Sequence, residues 1–290
     1  MDPIRVGLVG AGPWAEKAYA PMLAVGPETR LACVWARRPE AARELAGRHG
    51  AEAVESFAVL LERCEAVAFA VPPDVQAELA VAAARAGKHL MLDKPLAIEL
   101  EPARRLVEAV EAAGVVSQLM LTHRYRPKVQ AFLARARDFD AIGARLAFLT
   151  GSFVRGPYAT PWRKQHGAFH DLGPHAFDLL EAALGPIERM AGAGDPRGWV
   201  SLACVHANGA VSDVAMSGVM QLPQSVFELE LYGRQGAIEL DAVAAASDEP
   251  WSAARRSFAD AVRENRPPEL DARHGLRLQE LIDRALRAIG

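Results

Sequence analysis

The sequence predicts an α/β chain in two parts, a doubly wound parallel sheet followed by a strand-rich α/β region. Three observations carry the prediction. A short β-branched run, IRVGLV at 4–9, ends in the glycine-containing turn GAGPWA. Strand-like and helix-like segments then alternate as far as residue 121. From 199 to 242 the pattern changes to successive strands, two of them joined by Asn208–Gly209. At 290 residues the chain is long enough for two domains, each able to bury its own core.

The turn after the first strand has chemical content. Gly10 allows a tight turn, Gly12 lets the backbone approach a pyrophosphate, and Ala15 stands where a third glycine would let helix pack on sheet. Pro13 suits the first turn of the helix that follows, because its missing N–H is unpaired there in any case. With Trp14 these residues form a candidate cradle in which helix-start amides face phosphates. A glycine turn alone is weak evidence, since such turns also serve plain strand-to-helix connections. Here a strand precedes it, a helix follows, and a second strand, RLACVW at 30–35, comes about twenty residues on.

The end of that second strand is where an adenine ribose would be read. An acid there would hold the ribose hydroxyl, but the chain has Ala36, Arg37 and Arg38, with no carboxylate before Glu40. Two guanidinium groups suit a 2′-phosphate through charge-assisted bidentate hydrogen bonds, so NADP(H) is favoured and NAD(H) stays open. The alternative is a solvated arginine pair on a surface turn.

The alternation then runs through PEAARELAGRHG and SFAVLLERC as helices, EAVAFAV (65–71) as a strand, VQAELAVAAARAG as a helix, HLMLDKP as a strand, PARRLVEAVEAAG as a helix and VVSQLML (115–121) as a strand. Strand carboxyl ends face the ligand crevice in such sheets. Val71, Pro72, Pro73, Asp93 and Lys94 therefore border the expected cofactor, and the domain boundary falls after Leu121. Lys94 stands between an acid and Pro95, which disfavours helical geometry and holds it extended. A solvated lysine after a strand is the alternative.

In the second part, WVSLACVHA (199–207), AVSDVAMSGVM (210–220), VFELELYG (226–233) and AIELDA (237–242) read as strands, with VHANGAV a hairpin. A sheet covered by helices on one face needs solvent or a partner on the other. Met216, Val219 and Leu222 suggest an apolar face for a homo-oligomer. The segments SAARRSFADAVREN and 272–289 read as helices that pack back as scaffold.

Composition excludes several partners. A net charge of −3 gives no electrostatic reason to expect nucleic acid or an anionic membrane, and no apolar run approaches the roughly 20 residues that span a bilayer. MDPIRVGLVG lacks the features of a signal peptide, and Cys33, Cys64 and Cys204 form no zinc-type spacing. A reduced, cytoplasmic protein is the expectation. The Ala-rich patch AVAAAS near 243 carries little information.

GAGPWA, AGKHLMLDKPLA, HRYRP at 123–127, and WR followed by GxxxDxGxHxxD occur in an order and spacing that resemble the Gfo/Idh/MocA family, that of glucose–fructose oxidoreductase and inositol dehydrogenase. The family shows AGKHVLxEKPLA at the second element, so Asp93 replaces the usual glutamate. Only Gly167 remains of a run of glycines, and little chain separates GAIELDA (236–242) from the helix beginning near Trp251. The resemblance implies an N-terminal Rossmann domain (1–121) for dinucleotide binding. It also implies a C-terminal α/β domain (122–290) with an open-faced, mostly antiparallel sheet for substrate binding and oligomerisation. It further implies a nicotinamide-dependent sugar or polyol oxidoreductase, assembled as a homodimer or homotetramer. The family's active-site lysine, acid and histidine correspond to Lys94, Asp171 and His175.

DLGPHAFDLLEAALG reads as a helix with Pro174 in its first turn and Gly185 at its end. If helical geometry reaches back to Asp171, then Asp171, His175 and Asp178 share one face. Such a carboxylate orients the histidine and favours its cationic form, which suits a general base taking the proton of an alcohol. Lys94 then stabilises the developing alkoxide. The plain alternative is a helix-stabilising Asp–His pair. A metal is not expected, because the spacing is not HExxH and His170 falls on another face from His175. Asp178 either anchors the helix or touches the substrate. His123, Trp162 and Arg163 are candidate sugar contacts, with Trp162 as core the alternative, and Arg124 and Tyr125 are equally packing residues. Two further function classes compete with a dehydrogenase. One is a cofactor-binding sensor or scaffold without turnover, against which the intact Lys94, Asp171 and His175 argue. The other is a lyase or glycosidase that uses bound nicotinamide transiently.

Overall fold

The computed structural model describes residues 2–243 and 249–290. The short connection after residue 242, singled out above, lies at 244–248, outside the described residues. The chain forms two compact units: Met1–Leu121 with Trp251–Arg277, and Thr122–Pro250 with Leu278–Gly290.

In the first unit, β1 (Ile4–Val9), β2 (Thr29–Trp35), β3 (Glu52–Ala53), β4 (Ala66–Phe69), β5 (His89–Leu92) and β6 (Ser117–Leu119) form one sheet in the order β3-β2-β1-β4-β5-β6. Every neighbouring pair is parallel. Such a sheet is covered on both faces, which is why its strands are continuous apolar runs rather than alternating ones. Val6, Leu8, Val67, Phe69, Leu90 and Met91 are fully buried. The connecting helices are α1 (Ala20–Ala24), α2 (Pro39–Arg48), α3 (Phe57–Arg63), α4 (Pro73–Arg85) and α5 (Leu100–Ala113). Proline opens α2 and α4, Ser56 caps α3 by accepting from the Val59 amide at 3.2 Å, and Gly114 ends α5 in the left-handed conformation. The strand order reverses at β1 and β4, and the carboxyl ends of those strands define the ligand crevice of this architecture.

Two details of this unit differ from the sequence expectation. The helix after the glycine turn opens with helical Pro13 and Trp14 and widens at once to a π-helix, Ala15–Tyr19, in which the Ala20 amide donates to the Ala15 carbonyl. Pro21 lies just beyond and has no N–H for a regular ladder, so the wider turn absorbs a break that sequence periodicity does not reveal. The other is β3, a two-residue strand read from sequence as a connection.

In the second unit, β7 (Ala141–Leu149) lies inside a sheet with β8 (Ile187–Gly194), β9 (Val200–His206), β10 (Val211–Ser217), β11 (Val226–Gly233) and β12 (Gly236–Asp241), ordered β12-β11-β7-β10-β9-β8. All pairs are antiparallel except β7 with β10, so the sheet is mixed. The β9–β10 hairpin turns at Asn208–Gly209, where Asn208 Oδ1 accepts from the Ala210 amide at 3.0 Å and Gly209 has φ 87°. The remaining helices of this part are α6 (Pro127–Arg137), α7 (Pro161–His166), α8 (Ala168–Asp171) and α9 (Gly173–Leu184). Leu146, Met216, Phe227 and Leu229 are buried on one side of the sheet, while Phe177 and Leu180 of α9 and Leu133 of α6 are buried among the helices.

Of the three positions expected on an outward apolar face, Met216 is fully buried, Val219 is half-buried and Leu222 is exposed. Alternation along β10 turns Asp213 and Ala215 outward instead, and with Arg145, Ala147, Ala203, Glu228 and Glu230 they line a shallow concavity of charged and small side chains.

The last two helices are α10 (Glu249–Glu264) and α11 (Ala272–Ile289). The sequence division leaves all of 122–290 together, but Trp251–Arg277 is part of the first unit. Arg255 shows how it is held there. Its Nε donates to Glu28 Oε2 at 2.7 Å and its Nη1 to the Met22 carbonyl at 3.0 Å, capping the last turn of α1. Gln118 Nε2 donates to the Ala254 carbonyl at 2.9 Å, and the Ala272 amide donates to Ser117 Oγ at 3.1 Å.

Candidate active site

The candidate residues fall into two groups, one in each unit. In the first unit, Gly10 takes φ 113° and donates its amide to the Trp35 carbonyl at 2.8 Å, tying the turn to the end of β2. A Cβ there would sit 2.4 Å from the Ala70 carbonyl oxygen, so only glycine fits between the ends of β1 and β4. At Gly12 a Cβ would meet nothing within 4 Å, and the Ala11 and Gly12 amides make no backbone hydrogen bond among the described residues. A turn closed on the sheet side and open on the other, with amides to spare, fits a pyrophosphate. Pro13 is exposed and Ala15 fully buried. The Trp14 ring meets Trp251 edge-on at 5.6 Å, a packing role in addition to the cofactor contact proposed for it.

Arg37 and Arg38 are exposed where β2 gives way to α2, and neither forms an ion pair among the described residues. Glu40, the nearest carboxylate, is paired with Arg43 at 2.9 Å. Val71, Pro72 and Pro73 follow β4, with Val71 against the Gly10 turn.

Asp93 and Lys94 leave β5 in a turn that sequence reasoning places but does not explain. Asp93 Oδ1 accepts from the Lys94 amide at 2.9 Å, and the Lys94–Pro95 peptide is cis. Gln76 of α4, 1% exposed, spans the turn: its Oε1 accepts from the Asp93 amide at 2.7 Å. Its Nε2 donates to the carbonyls of Asp93 (2.8 Å), Leu96 (3.2 Å) and Pro95 (3.3 Å). The sequence signal for Gln76 is its place on the same helical stripe as Ala80 and Ala84, both buried, where a polar side chain needs partners. Tyr19, at the end of the π-helix, has a buried hydroxyl with no hydrogen-bond partner among the described residues. Burial, and then the charge of Asp93, push it well above the usual phenol range.

In the second unit, α8 and α9 join through Leu172, which is itself helical, so helical geometry does reach back to Asp171. Gly167, before α8, has φ 73°, and a Cβ there would lie 2.3 Å from the Pro196 carbonyl, which accepts from the Ala168 amide at 2.7 Å. That contact fixes where the helix starts. Asp171 and His175 are 6% and 7% exposed. Asp171 Oδ2 stands 3.0 Å from Arg163 Nε, an ion pair without hydrogen-bond alignment. Arg163 also lies over the Trp162 ring at 4.6 Å and the Tyr158 ring at 5.8 Å. Trp162 and Arg163 thus form one stack that ends on the acid.

His175 meets the His123 ring edge-on at 4.8 Å, and His123 in turn meets Phe227 at 4.8 Å. Phe148 and Phe227 stack at 4.0 Å beneath them. Sequence reasoning finds both histidines but not this aromatic floor, since Phe227 reads simply as an apolar strand position and Phe148 lies in β7, a strand the sequence pattern does not reveal. Asp178 is 1% exposed, and its Oδ1 accepts from Arg124 Nη1 at 2.7 Å. Of its two expected roles, helix anchor or substrate contact, these surroundings support the anchor. Among the described residues no cluster of three or more His, Cys, Asp or Glu side chains has the geometry of a metal site, and no helix is long and apolar enough to cross a membrane.

A parallel six-stranded sheet with a glycine cradle at its switch point, followed by a mixed sheet that carries an Asp–His helix, defines a two-part α/β protein of the Rossmann type. The model of the oxidoreductase family with NAD-binding Rossmann fold, GFO/IDH/MocA, matches residues 4–122, and that of the GFO/IDH/MocA C-terminal domain matches residues 138–239. The chain belongs to this Gfo/Idh/MocA family. It is 30% identical over 200 residues to the dTDP-3,4-didehydro-2,6-dideoxy-alpha-D-glucose 3-reductase of Streptomyces violaceoruber, covering 66% of this chain and 57% of that protein. The matched stretches span between 35% and 62% of the length of such curated relatives. Among solved structures, the UDP-N-acetylglucosamine 3-dehydrogenase GnnA of Acidithiobacillus ferrooxidans superposes with a TM-score of 0.88 at 20% identity, covering 100% of this chain and 98% of that one. KijD10, a 3-ketoreductase from Actinomadura kijaniata in complex with NADP and TDP-benzene, superposes with a TM-score of 0.84 at 20% identity, covering 99% and 98%.

Proposed function

We propose that this chain is an NAD(P)-dependent oxidoreductase that moves a hydride between nicotinamide and a sugar, polyol or related hydroxy or keto compound, with NADP(H) favoured. The observation that carries the reading is the Gly10 cradle in one chain with Lys94, Asp171 and His175 in the family's order. The names of the similar proteins, reductases and dehydrogenases of sugars, support the substrate class.

When bound, the nicotinamide supplies the hydride acceptor for oxidation, or the donor for reduction. The residues supply the rest. As the carbinol carbon loses hydride, the hydroxyl proton passes to the imidazole of His175, leaving a carbonyl. The Lys94 ammonium donates a hydrogen bond to the oxygen as negative charge develops on it. Asp171, tied to Arg163, orients the base and favours its protonated form. Trp162, Arg163 and His123 contact the sugar. Gly10, Gly12, Pro13, Trp14, Ala15, Val71, Pro72, Pro73 and Asp93 border the cofactor. Arg37 and Arg38, with no carboxylate of their own to pair with, hold the 2′-phosphate. We assign the assembly as a homodimer or homotetramer.

Titration with NADPH and NADH tests the reading, followed by the reduced-nicotinamide absorbance against a panel of sugars, polyols and their keto forms. Tighter NADPH binding that weakens about tenfold in Arg37→Ala/Arg38→Ala, with turnover lost in Lys94→Ala and His175→Ala, is the expected result. Failure to bind either nucleotide refutes it. Binding with no turnover on any substrate favours a sensor, and turnover without net change in the cofactor favours transient redox chemistry.

A further inference from the structure

We infer that Gln76 is the positioning residue for Lys94. The inference rests on the reading of Lys94 as the group that meets the reacting oxygen. One buried carboxamide makes four hydrogen-bond contacts to three residues of the turn, which lie on either side of Lys94. It accepts from the Asp93 amide and donates to the Asp93, Pro95 and Leu96 carbonyls, at 2.7–3.3 Å.

A carboxamide is suited to this. It carries one acceptor and two donors in a fixed plane; the turn presents one N–H to the acceptor and three carbonyls that the two donors share, one of them bifurcated. No ionisable side chain offers that balance without bringing a charge into a site that is 1% exposed. The backbone of Lys94 therefore has no freedom to rotate about the turn, because the residues before and after it are held by the same rigid group. Lys94's own amide donates to Asp93 Oδ1 at 2.9 Å, and Gln76 fixes the Asp93 backbone as well. Gln76 in turn is set by α4, which begins at Pro73 beside the glycine cradle, so cradle and lysine share one rigid support. An ammonium on a four-carbon stem is a precise electrostatic group only if its root is fixed, and a misplacement of about 1 Å costs on the order of 100-fold in rate.

The test is Gln76→Glu in the full chain. The change is nearly isosteric and keeps the acceptor toward the Asp93 amide, but it sets an anionic oxygen against three carbonyls. Three readouts separate positioning from general damage. Turnover number should fall about 10- to 100-fold while NADPH affinity changes by less than about twofold. Activity should recover as pH is lowered, because the introduced carboxyl, once protonated, has a hydrogen to donate again. The wild-type chain lacks that limb. Finally, ¹³C-dimethylation of the five lysines (Lys17, Lys88, Lys94, Lys128, Lys164), with Lys94 assigned by its absence in Lys94→Arg, should show the Lys94 methyl resonance displaced and the other four unmoved.

A Lys94 resonance that stays in place in folded Gln76→Glu overturns the inference. Gln76→Met, which keeps volume and removes every hydrogen bond, is the second variant. If neither folds, Gln76 is a folding residue and the inference is likewise overturned. Turnover that survives in Lys94→Ala refutes the proposed function and leaves a displaced resonance in Gln76→Glu standing, so the two failures are distinguishable.

Discussion

Arg124 Nη1 donates to Asp178 Oδ1 at 2.7 Å, with the two side chains 6% and 1% exposed. The pair joins the short turn after the first unit's last strand to the middle of α9, and so holds His123 and His175 on their common aromatic floor. Removing one partner takes this ion pair from a buried charge. We expect Asp178→Ala to destabilise by about 3–5 kcal/mol, and Arg124→Met/Asp178→Leu together to cost less than either single change. Thermal unfolding of the three variants checks this, and a double variant less stable than both singles would contradict it.

Gly10 is expected to tolerate nothing larger. Alanine there would place a Cβ 2.4 Å from the Ala70 carbonyl at φ 113°. Strain of about 1–3 kcal/mol follows, relieved only by moving the cradle. Isothermal titration of Gly10→Ala should show NADPH affinity lowered at least about tenfold, whereas Gly12→Ala, where a Cβ meets no protein atom, should lose affinity with stability unchanged.

His206 should make stability depend on pH. It is 1% exposed, and its Nδ1 lies 2.8 Å from the Gly185 carbonyl, which only accepts. Nδ1 must therefore carry the proton, leaving Nε2 to accept from Ser212 Oγ at 3.0 Å. Burial holds its pKa below the ordinary 6.5, outweighing the Gly185 hydrogen bond and the charge of Glu181, which raise it. The folded chain then binds fewer protons at this site than the unfolded one. Its contribution is complete above pH 6.5 and is lost as pH falls through that value toward the folded pKa. Denaturant unfolding at several pH values should show a slope between about pH 5 and 7 that His206→Gln reduces.

The three cysteines, all buried, should be silent in the folded state. Burial first of all pushes the Cys33 thiol up to about 12 and the Cys204 thiol to about 11. A colorimetric thiol reagent at about pH 8 should react with none of them in the native chain and with three after denaturation. Rapid reaction of one thiol in the native protein would show that its surroundings open.

Much of the first unit was legible because its constraints are local. Pro73, Ser56 and Gly114 each act within a few residues of themselves, and buried parallel strands leave continuous apolar runs; Gly10 is legible as a turn, but its contacts with Trp35 and Ala70 are not. Asp171 and His175 were legible for the same reason, four residues apart on one helix. The strand β7 was not, although it lies inside its sheet: AIGARLAFL alternates small and charged residues on one face and includes a glycine, a weak pattern for a strand. Nor was its parallel pairing with β10, which no hairpin announces. Gln76 and the aromatic floor were invisible because their meaning lies in partners far along the chain. Met216 as part of an outward apolar face failed on phase, since a one-residue shift in a strand reverses which face a side chain occupies, whereas Leu222, beyond β10, is exposed as expected.

Arg255 and Glu28 are 227 positions apart, yet both belong to the first unit. A chain emerging from the ribosome can pair all six parallel strands long before the residues that cap α1 and satisfy Gln118 have been made. Until then the nascent sheet has an unneutralised carboxylate and an unpartnered buried amide at its margin. The second unit must be synthesised in the interval. The nucleotide-binding half is therefore begun before most of the second unit and completed only after it, and its open margin is exposed to chaperones and proteases throughout that interval.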